Sequence, residues 1–344
     1  MQSIGTGRPV VRAVLSREPV LSIARVLTVL GFAAAVFAAA TMANAQSFPT
    51  KPIKIVVPVV PGTTPDILAR LVGSHLAPRL GQPIVVENRG GASSNIGAEY
   101  VARSEPDGHT LMVSPPPPLA INESLFPKLG FDPAAFVPVT ILVTLPNVLV
   151  VNASMQARKV EELVALAKSS PDQLNGGSTG VGGTPHLSLE MFKATAGVSI
   201  KHIPYSRGLA PALTDLLAGR IDLMFMNLAD ALPHIRSGQL RALAVASRER
   251  VADLPEVPPL AETLRGFESS TWMAMAAPPG TPPEIAGRLS REISEVLRLP
   301  DVTARLSDIS ATPVGSSPDE ARAFIRREAV RWREVITSAG IRLE

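Results

Sequence analysis

The chain contains no cysteine in 344 residues. That excludes disulfides, thiolate metal sites, a cysteine nucleophile and a lipid attached to an N-terminal cysteine. Aromatic residues make up only 4%, leaving few platforms on which exposed bases could stack. Cationic excess is also missing from most of the chain. The formal net charge is +3, but Arg8, Arg12, Arg17 and Arg25 stand against the single acid Glu18 in the first 45 residues. Residues 46 to 344 then carry 29 basic and 29 acidic side chains. A nucleic-acid partner needs a Lys/Arg surplus facing phosphates, so none is expected. Internal repeats and charge blocks are absent, and only one uncharged run both follows a group of arginines and closes on small residues.

That run extends from Val26 to Ala45, follows the arginines and closes on Ala43-Asn44-Ala45. Small residues at −3 and −1 suit signal peptidase, so residues 1–45 read as a signal peptide cleaved before Gln46, and the protein as exported to a periplasm. An uncleaved anchor is the competing reading, because twenty uncharged residues reach across a bilayer. The remaining chain is long enough for two domains or lobes.

Strand-length apolar runs alternate with helical patterns. IKIVVPV (53–59), IVVE (84–87), TLMVS (110–114), NVLVV (147–151), IKHIP (200–204), IDLMFM (221–226), LRALAVAS (240–247) and WMAMAAP (272–278) read as strands. Several are apolar on both faces, as strands covered on both sides by helices are. Between them, Leu68, Val72, Leu76 and Leu80 repeat at helical spacing behind Thr64 as N-cap and Pro65. Thr281-Pro282-Pro283-Glu284 and Ser317-Pro318-Asp319-Glu320 both carry the capping-box arrangement before long amphipathic helices. The alternation implies βαβ units, an α/β fold class with mainly parallel sheets.

In such sheets ligands sit beyond the carboxyl ends of strands, where helix N-termini present unpaired amides. Two loops suit that place. One is Val60-Pro61-Gly62-Thr63-Thr64-Pro65-Asp66, after the first strand. The other runs from Asn175 to His186; its five glycines let backbone approach a ligand, and Ser178, Thr179 and Thr184 add hydroxyl donors. Neither loop has the lysine of a phosphate-binding loop, and Pro185 stands where the last glycine of a dinucleotide fingerprint belongs. A carboxylate held by neutral amides and hydroxyls fits better.

Gly176-Gly177-Ser178-Thr179-Gly180 also matches the nucleophile-elbow pattern, which raises a serine hydrolase as an alternative. Against it, SSPDQLN precedes the pattern where an apolar strand is required. The five histidines show no ligand spacing, so neither a metal nor another cofactor is expected. His186 at the loop's end reads equally as a helix cap or a ligand contact, and His202 reads as a core residue. Tyr205 and Arg207 follow a strand, and the arginine could grip a second carboxylate. Asn227 at the end of IDLMFM is placed to hydrogen-bond a ligand, and Trp272 is either core or cleft wall.

The stretches PTKPIKIVVPVVPG, LGQPIVVENRGGASSNIGAEYVARSEPDGHTLMV, NGGSTGVGGTPHLSLEMF, HIPYSRGLAPALTDLLAGRIDLMF, ALPHIRSGQLRALAVAS and AAPPGTPPEI, in this order, resemble the extracytoplasmic substrate-binding proteins of tripartite tricarboxylate transporters, the Bug family. The resemblance implies a type II periplasmic-binding-protein fold, two α/β lobes joined by crossing strands with the ligand cleft between them. The lobes would be 46–146 plus 272–344, and 147–271. It implies capture of a small organic acid and delivery to membrane permease subunits, without catalysis, by a monomer in the periplasm. An exported ligand sensor for a two-component system is a further alternative. The implied ligand contacts are Val60, Gly62, Thr63, Thr64 and Asp66 in the first loop, Ser114 at the end of TLMVS, and Ser178, Thr179, Gly180, Gly182, Gly183, Thr184 and His186 in the second. Tyr205, Arg207 and Asn227 complete the set. The chain departs from the family pattern at Thr63 and Pro65, at Ser93 and Ser94 where glycines are usual, at Pro115 to Pro118, and at Met226 in place of an acid.

Overall fold

The computed structural model describes residues 48–205 and 208–343. The expected signal peptide and Arg207 lie outside the described residues.

In chain order the elements are β1 (Ile53–Val57), α1 (Thr64–Leu80), β2 (Ile84–Asn88), α2 (Asn95–Ala102), β3 (Thr110–Ser114), α3 (Asn122–Leu125), β4 (Val137–Asn152), α4 (Val160–Ser169), β5 (Asn175–Ser178), α5 (Thr184–Ala196), β6 (Lys201–Pro204), α6 (Leu209–Leu217), β7 (Leu223–Asn227), α7 (Leu228–Arg236), β8 (Leu240–Val245), β9 (Ser270–Ala277), α8 (Pro283–Leu297), α9 (Pro300–Asp308), β10 (Thr312–Pro313) and α10 (Pro318–Ser338). The strands run in the order β2-β1-β3-β9-β4-β7-β5-β6, with β8 and β10 also on β4. β1, β2 and β3 pair in parallel, as do β5, β6 and β7.

β4 joins the two parallel groups. Residues 137–146 pair antiparallel with β9, and from Asn147 to Asn152 the same strand pairs with β7 and β8. The sequence reading found only the second half of it. Pro138 and Pro146 bring no N–H to a ladder and so disguise the first half, yet all 16 residues are extended. A second strand went unread inside the glycine loop: Asn175–Ser178 is β5, in the interior of its sheet. A side chain there would have no room, because a Cβ on Gly176 would come within 2.6 Å of Leu189 and one on Gly177 would run into Ile221. These two glycines serve packing, as does Gly182, whose Cβ would run into Leu125, while Gly180 and Gly183 have room around them.

Apolar clusters follow from this layout. One packs α2 and α10 on the first strand group around Trp272 and Trp332, and two cover the faces of the second, around Phe192 and Phe225 and around Met224 and Leu216. Leu68, Val72 and Leu76 of α1 and Leu289 and Ile293 of α8 are also fully buried. Trp272 is fully buried and its Nε1 donates to Glu328 Oε2 at 2.9 Å, so it is core. The capping box at Ser317 and Glu320 is present. The one expected at Thr281 is not: α8 starts at Pro283, and Thr281 Oγ1 donates backwards to the Pro278 carbonyl at 2.8 Å. Likewise Thr63, not Thr64, is the N-cap of α1. Among the described residues no helix is long and apolar enough to cross a membrane.

Candidate ligand cleft

A cavity of about 620 Å³ opens where the two strand groups meet. Gly62, Thr63, Thr64 and Pro65 line it from one side, and Thr179, Gly183, Thr184, Asn227 and Asp230 from the other. Pro115 to Pro117, Met224, Met226 and Met273 give it apolar walls. A second chamber of about 610 Å³ shares Val59, Pro115, Pro117, Thr179 and Gly183 with the first and adds Ser93, Ser94, Gly180 and Gly182.

Three helices end on the first chamber by their N-termini: α1 at Thr63, α5 at Gly183 and α7 at Asn227. None has a side-chain cap on its free amides. Amides left unpaired at a helix start carry partial positive charge, and here three such ends converge on one space. An anion is the ligand that satisfies them.

Each loop is held from behind by a different device. In the first, Asp66 is 4% exposed. Its Oδ2 accepts from the Gly62 amide at 2.9 Å and its Oδ1 from Arg70 Nε at 3.0 Å. Arg70 also donates to Asn88 Oδ1, whose amide binds the Val59 carbonyl. Burial alone would raise the Asp66 pKa, but the bonds from Arg70 and Gly62 overcome it and hold the carboxyl ionised. Asp66 therefore shapes the loop from behind and is not among the residues that line the cavity. Val60 is 63% exposed, and its carbonyl accepts from Thr63 Oγ1 at 2.8 Å.

In the second loop, Ser178 is fully buried. Its hydroxyl lies 2.6 Å from His202 Nε2, 3.0 Å from the Gly180 carbonyl and 3.2 Å from the Gly180 amide. His186 Nδ1 accepts from the Gly182 amide at 3.1 Å, and its ring stacks on His202 with centroids 3.8 Å apart. Burial, then the neighbouring His186, lowers the His202 pKa to about 4, so His202 is neutral at ordinary pH. Ser178 and His186 thus brace the loop from beneath. The Ser178–His202 contact is the pairing a hydrolase would need, but a buried hydroxyl engaged within its own loop is out of a substrate's reach. Ser114 is also buried and bonds the Pro115 carbonyl. Tyr205 Oη donates to Asp215 Oδ2 at 2.6 Å, and burial followed by that bond raises its pKa to about 12.

A ring of buried hydrogen bonds ties α5 to the crossing strands. Thr184 Oγ1 meets Thr271 Oγ1 at 2.9 Å, and Thr271 reaches Asn147 Oδ1 at 3.5 Å. Asn147 Nδ2 donates to Ser269 Oγ at 3.4 Å, Ser269 meets Ser188, and Ser188 donates to the Thr184 carbonyl at 2.6 Å. Each hydroxyl in this circuit gives its proton within it, Thr184 to Thr271, Thr271 to Asn147, Ser269 to Ser188 and Ser188 to the Thr184 carbonyl, so no buried polar group in it is left unpaired. The ring sits where β4 changes partners, directly behind the glycine loop.

The match to known proteins agrees with this cleft. Residues 68–341 match the family described as tripartite tricarboxylate transporter family receptor. The chain belongs to that family. It is 37% identical over 327 residues to protein BugT of Bordetella pertussis, covering 94% of this chain and all of that one. Among solved structures, Rpa4515 of R. palustris with adipate is 37% identical at a TM-score of 0.77, covering 86% of this chain and 100% of that one. MatC of Rhodopseudomonas palustris with bound malate is 33% identical at a TM-score of 0.73, covering 84% of this chain and 100% of that one. The receptor has the two-lobed α/β fold of periplasmic binding proteins and is not an enzyme, which removes the serine hydrolase.

Ser93, Ser94, Thr271, Met273 and Asp230 line the receptor's cleft without having been singled out in the sequence as contacts. Ser93 and Ser94 had a visible signal. With Ala92 they form three successive non-glycine residues at positive φ (47°, 53° and 74°), a strained conformation in a place where the family resemblance puts glycines.

Proposed function

We propose that the receptor captures a small organic acid between its lobes in the periplasm, after removal of residues 1–45, and as a monomer delivers it to the permease subunits of a tripartite tricarboxylate-type transporter. The observation that carries this reading is the convergence of the three uncapped helix N-termini on one cavity. Relatives solved with adipate and with malate support the ligand class.

Residues 46–146 with 272–344 form one lobe and 147–271 the other, a division supported by the change of pairing partner at Asn147. The carboxylate docks on the amides of Thr63 and Thr64 and of Thr179, Gly183 and Thr184, those of Gly62, Gly180 and Gly182 being held within their own loops. Contacts to both sides favour the closed arrangement over the open one, and this population shift makes the loaded form recognisable to the permease. A micromolar complex corresponds to about −8 kcal/mol, within reach of a few desolvated hydrogen bonds to an anion.

A thermal-shift screen of the purified protein against mono-, di- and tricarboxylates, aromatic acids, neutral sugars and inorganic phosphate tests the reading. A carboxylate should raise the melting temperature and saturate in calorimetry. Stabilisation by sugars or phosphate with all carboxylates silent would overturn it.

A further inference from the structure

The loops after β1 and β5 bring amide donors to the cleft, but the loop after β3 brings none. β3 pairs in parallel with β1, so its loop leaves the sheet beside the first one, and Pro115 and Pro117 line both chambers. Residues 115–118 are prolines, which have no N–H. The next two amides are already taken: those of Leu119 and Ala120 both donate to the Pro116 carbonyl, at 3.0 and 2.9 Å. The Ser114 hydroxyl turns to the Pro115 carbonyl. From 115 to 120 the chain therefore has no free backbone donor for an anion.

The rest of that wall is apolar and within a ligand's reach. Val59, Ile67, Leu209 and Ile309 line the first chamber, and each is partly exposed. Among the described residues neither chamber is lined by Lys, Arg or His, and the charged side chains on the first, Asp230 and Asp308, are acids. Asp230 is in the first turn of α7, so a second carboxylate laid on that helix start meets an acid. A carboxylate pressed against the prolines would give up water without gaining a donor, which is costly. A hydrocarbon in the same place gains by leaving water.

We propose that the receptor selects monocarboxylic acids with an apolar body, an alkyl chain or an aromatic ring, over di- and tricarboxylic acids, and that the proline turn after β3 sets this preference. This rests on the carboxylate reading above and adds the nature of the rest of the ligand. The single carboxylate lies on the amides of the two loops, and the body lies against Val59, Pro115, Pro117, Leu209 and Ile309. Discrimination comes from the wall that rejects a second charge as much as from the one that accepts the first. Adipate and malate, the acids held by the solved relatives, should bind this receptor weakly.

Calorimetry on the purified protein tests this with acids that differ in one group: butanoate with succinate, hexanoate with adipate, and 4-methylbenzoate with terephthalate. In each pair that binds, the member with the methyl group should bind at least about tenfold more tightly than the one with the second carboxylate. Pro117→Ala returns one amide to the wall and Ile309→Lys adds a cation to it; each should narrow or reverse that order, with the melting temperature of the free variant showing that it is folded. Equal or tighter binding of the dicarboxylates to the native protein, the order that a grip by Arg207 would produce, overturns the proposal and leaves the carboxylate reading standing. An unchanged preference in both folded variants overturns the assignment of that preference to this wall. Silence of every acid in both series overturns the proposal and the carboxylate reading together. The order of affinities in the native protein decides the ligand class even where a variant is unstable.

Discussion

The loop at residues 60–66 hangs on an ion pair, whereas the loop at 178–186 hangs on two stacked imidazoles. Both end in an uncapped helix start and both face the same cavity, so their service to a ligand is alike. Their supports differ in surroundings. Asp66 and Arg70 stand at the rim, where the arginine is half exposed and water shares the charge. His186 and His202 lie under a strand of glycines with sheet and helix against it, where a charge would be poorly hydrated. An ion pair suits a loop at the surface, and an uncharged His202 suits one in the core. The second loop is accordingly the one that steric change and acid should disturb.

The largest effect is expected from crowding the second loop. Gly177→Val drives a side chain into Ile221 and should cost about 3 kcal/mol or more, measured by denaturant unfolding. Gly62→Ala in the first loop meets open space and bears only the strain of φ +80°, about 1 kcal/mol. Equal losses at the two positions would dissolve the contrast.

Acid separates the loops next. The folded-state pKa of His202 is depressed from 6.5 to about 4, so the unfolded chain binds the extra proton between those values and stability falls as pH drops from about 6.5 to 4. Facing His202 are Ser178, His186, Glu190 and Lys193; Glu190 is itself held ionised by His186 and Lys193 against its burial. After allowance for partial exposure the loss should be roughly 1–2 kcal/mol, and His202→Gln should flatten the melting temperature over that range. Asp66 behaves in the opposite sense. Its lowered pKa contributes stability that is present above about 3.9 and lost only below. Asp66→Asn should therefore leave the slope between pH 4 and 6.5 untouched, lower stability by about 1 kcal/mol and weaken ligand binding several-fold by loosening Gly62.

The smallest expected change is in the hydroxyls at the cleft surface. Thr179→Ala and Thr63→Ala should each weaken carboxylate binding by about two- to tenfold without altering stability, because each removes one donor or its local support. An effect of Ser178→Ala on stability rather than on affinity alone would mark it as a brace.

Much of the fold was legible because its signals are local. Apolar runs such as TLMVS, prolines and glycines at helix boundaries, and the box at Ser317 mark elements within a few residues. β4 was half hidden by prolines that mimic a break, and β5 by glycines whose purpose is contact with Leu189 and Ile221, distant in sequence. At the site, glycine-rich turns before proline-started helices pointed to two loops that the structure places on one cavity. Which hydroxyls face inward was not legible: Ser178 and Thr179 are adjacent, yet one braces and the other lines the cavity. Asp230 and Thr271 reach the cleft only through the pairing of β4 with β7 and β9, which no spacing in the chain announces.

The most direct test of the carboxylate site is a crystal structure of the protein with the tightest-binding acid from the screen. The account predicts a carboxylate between the two loops, its oxygens about 3 Å from the backbone amides of Thr63 or Thr64 on one side and of Thr179, Gly183 or Thr184 on the other. An acid bound with its carboxylate away from both loops, or held by one loop alone with the cleft open, would contradict it.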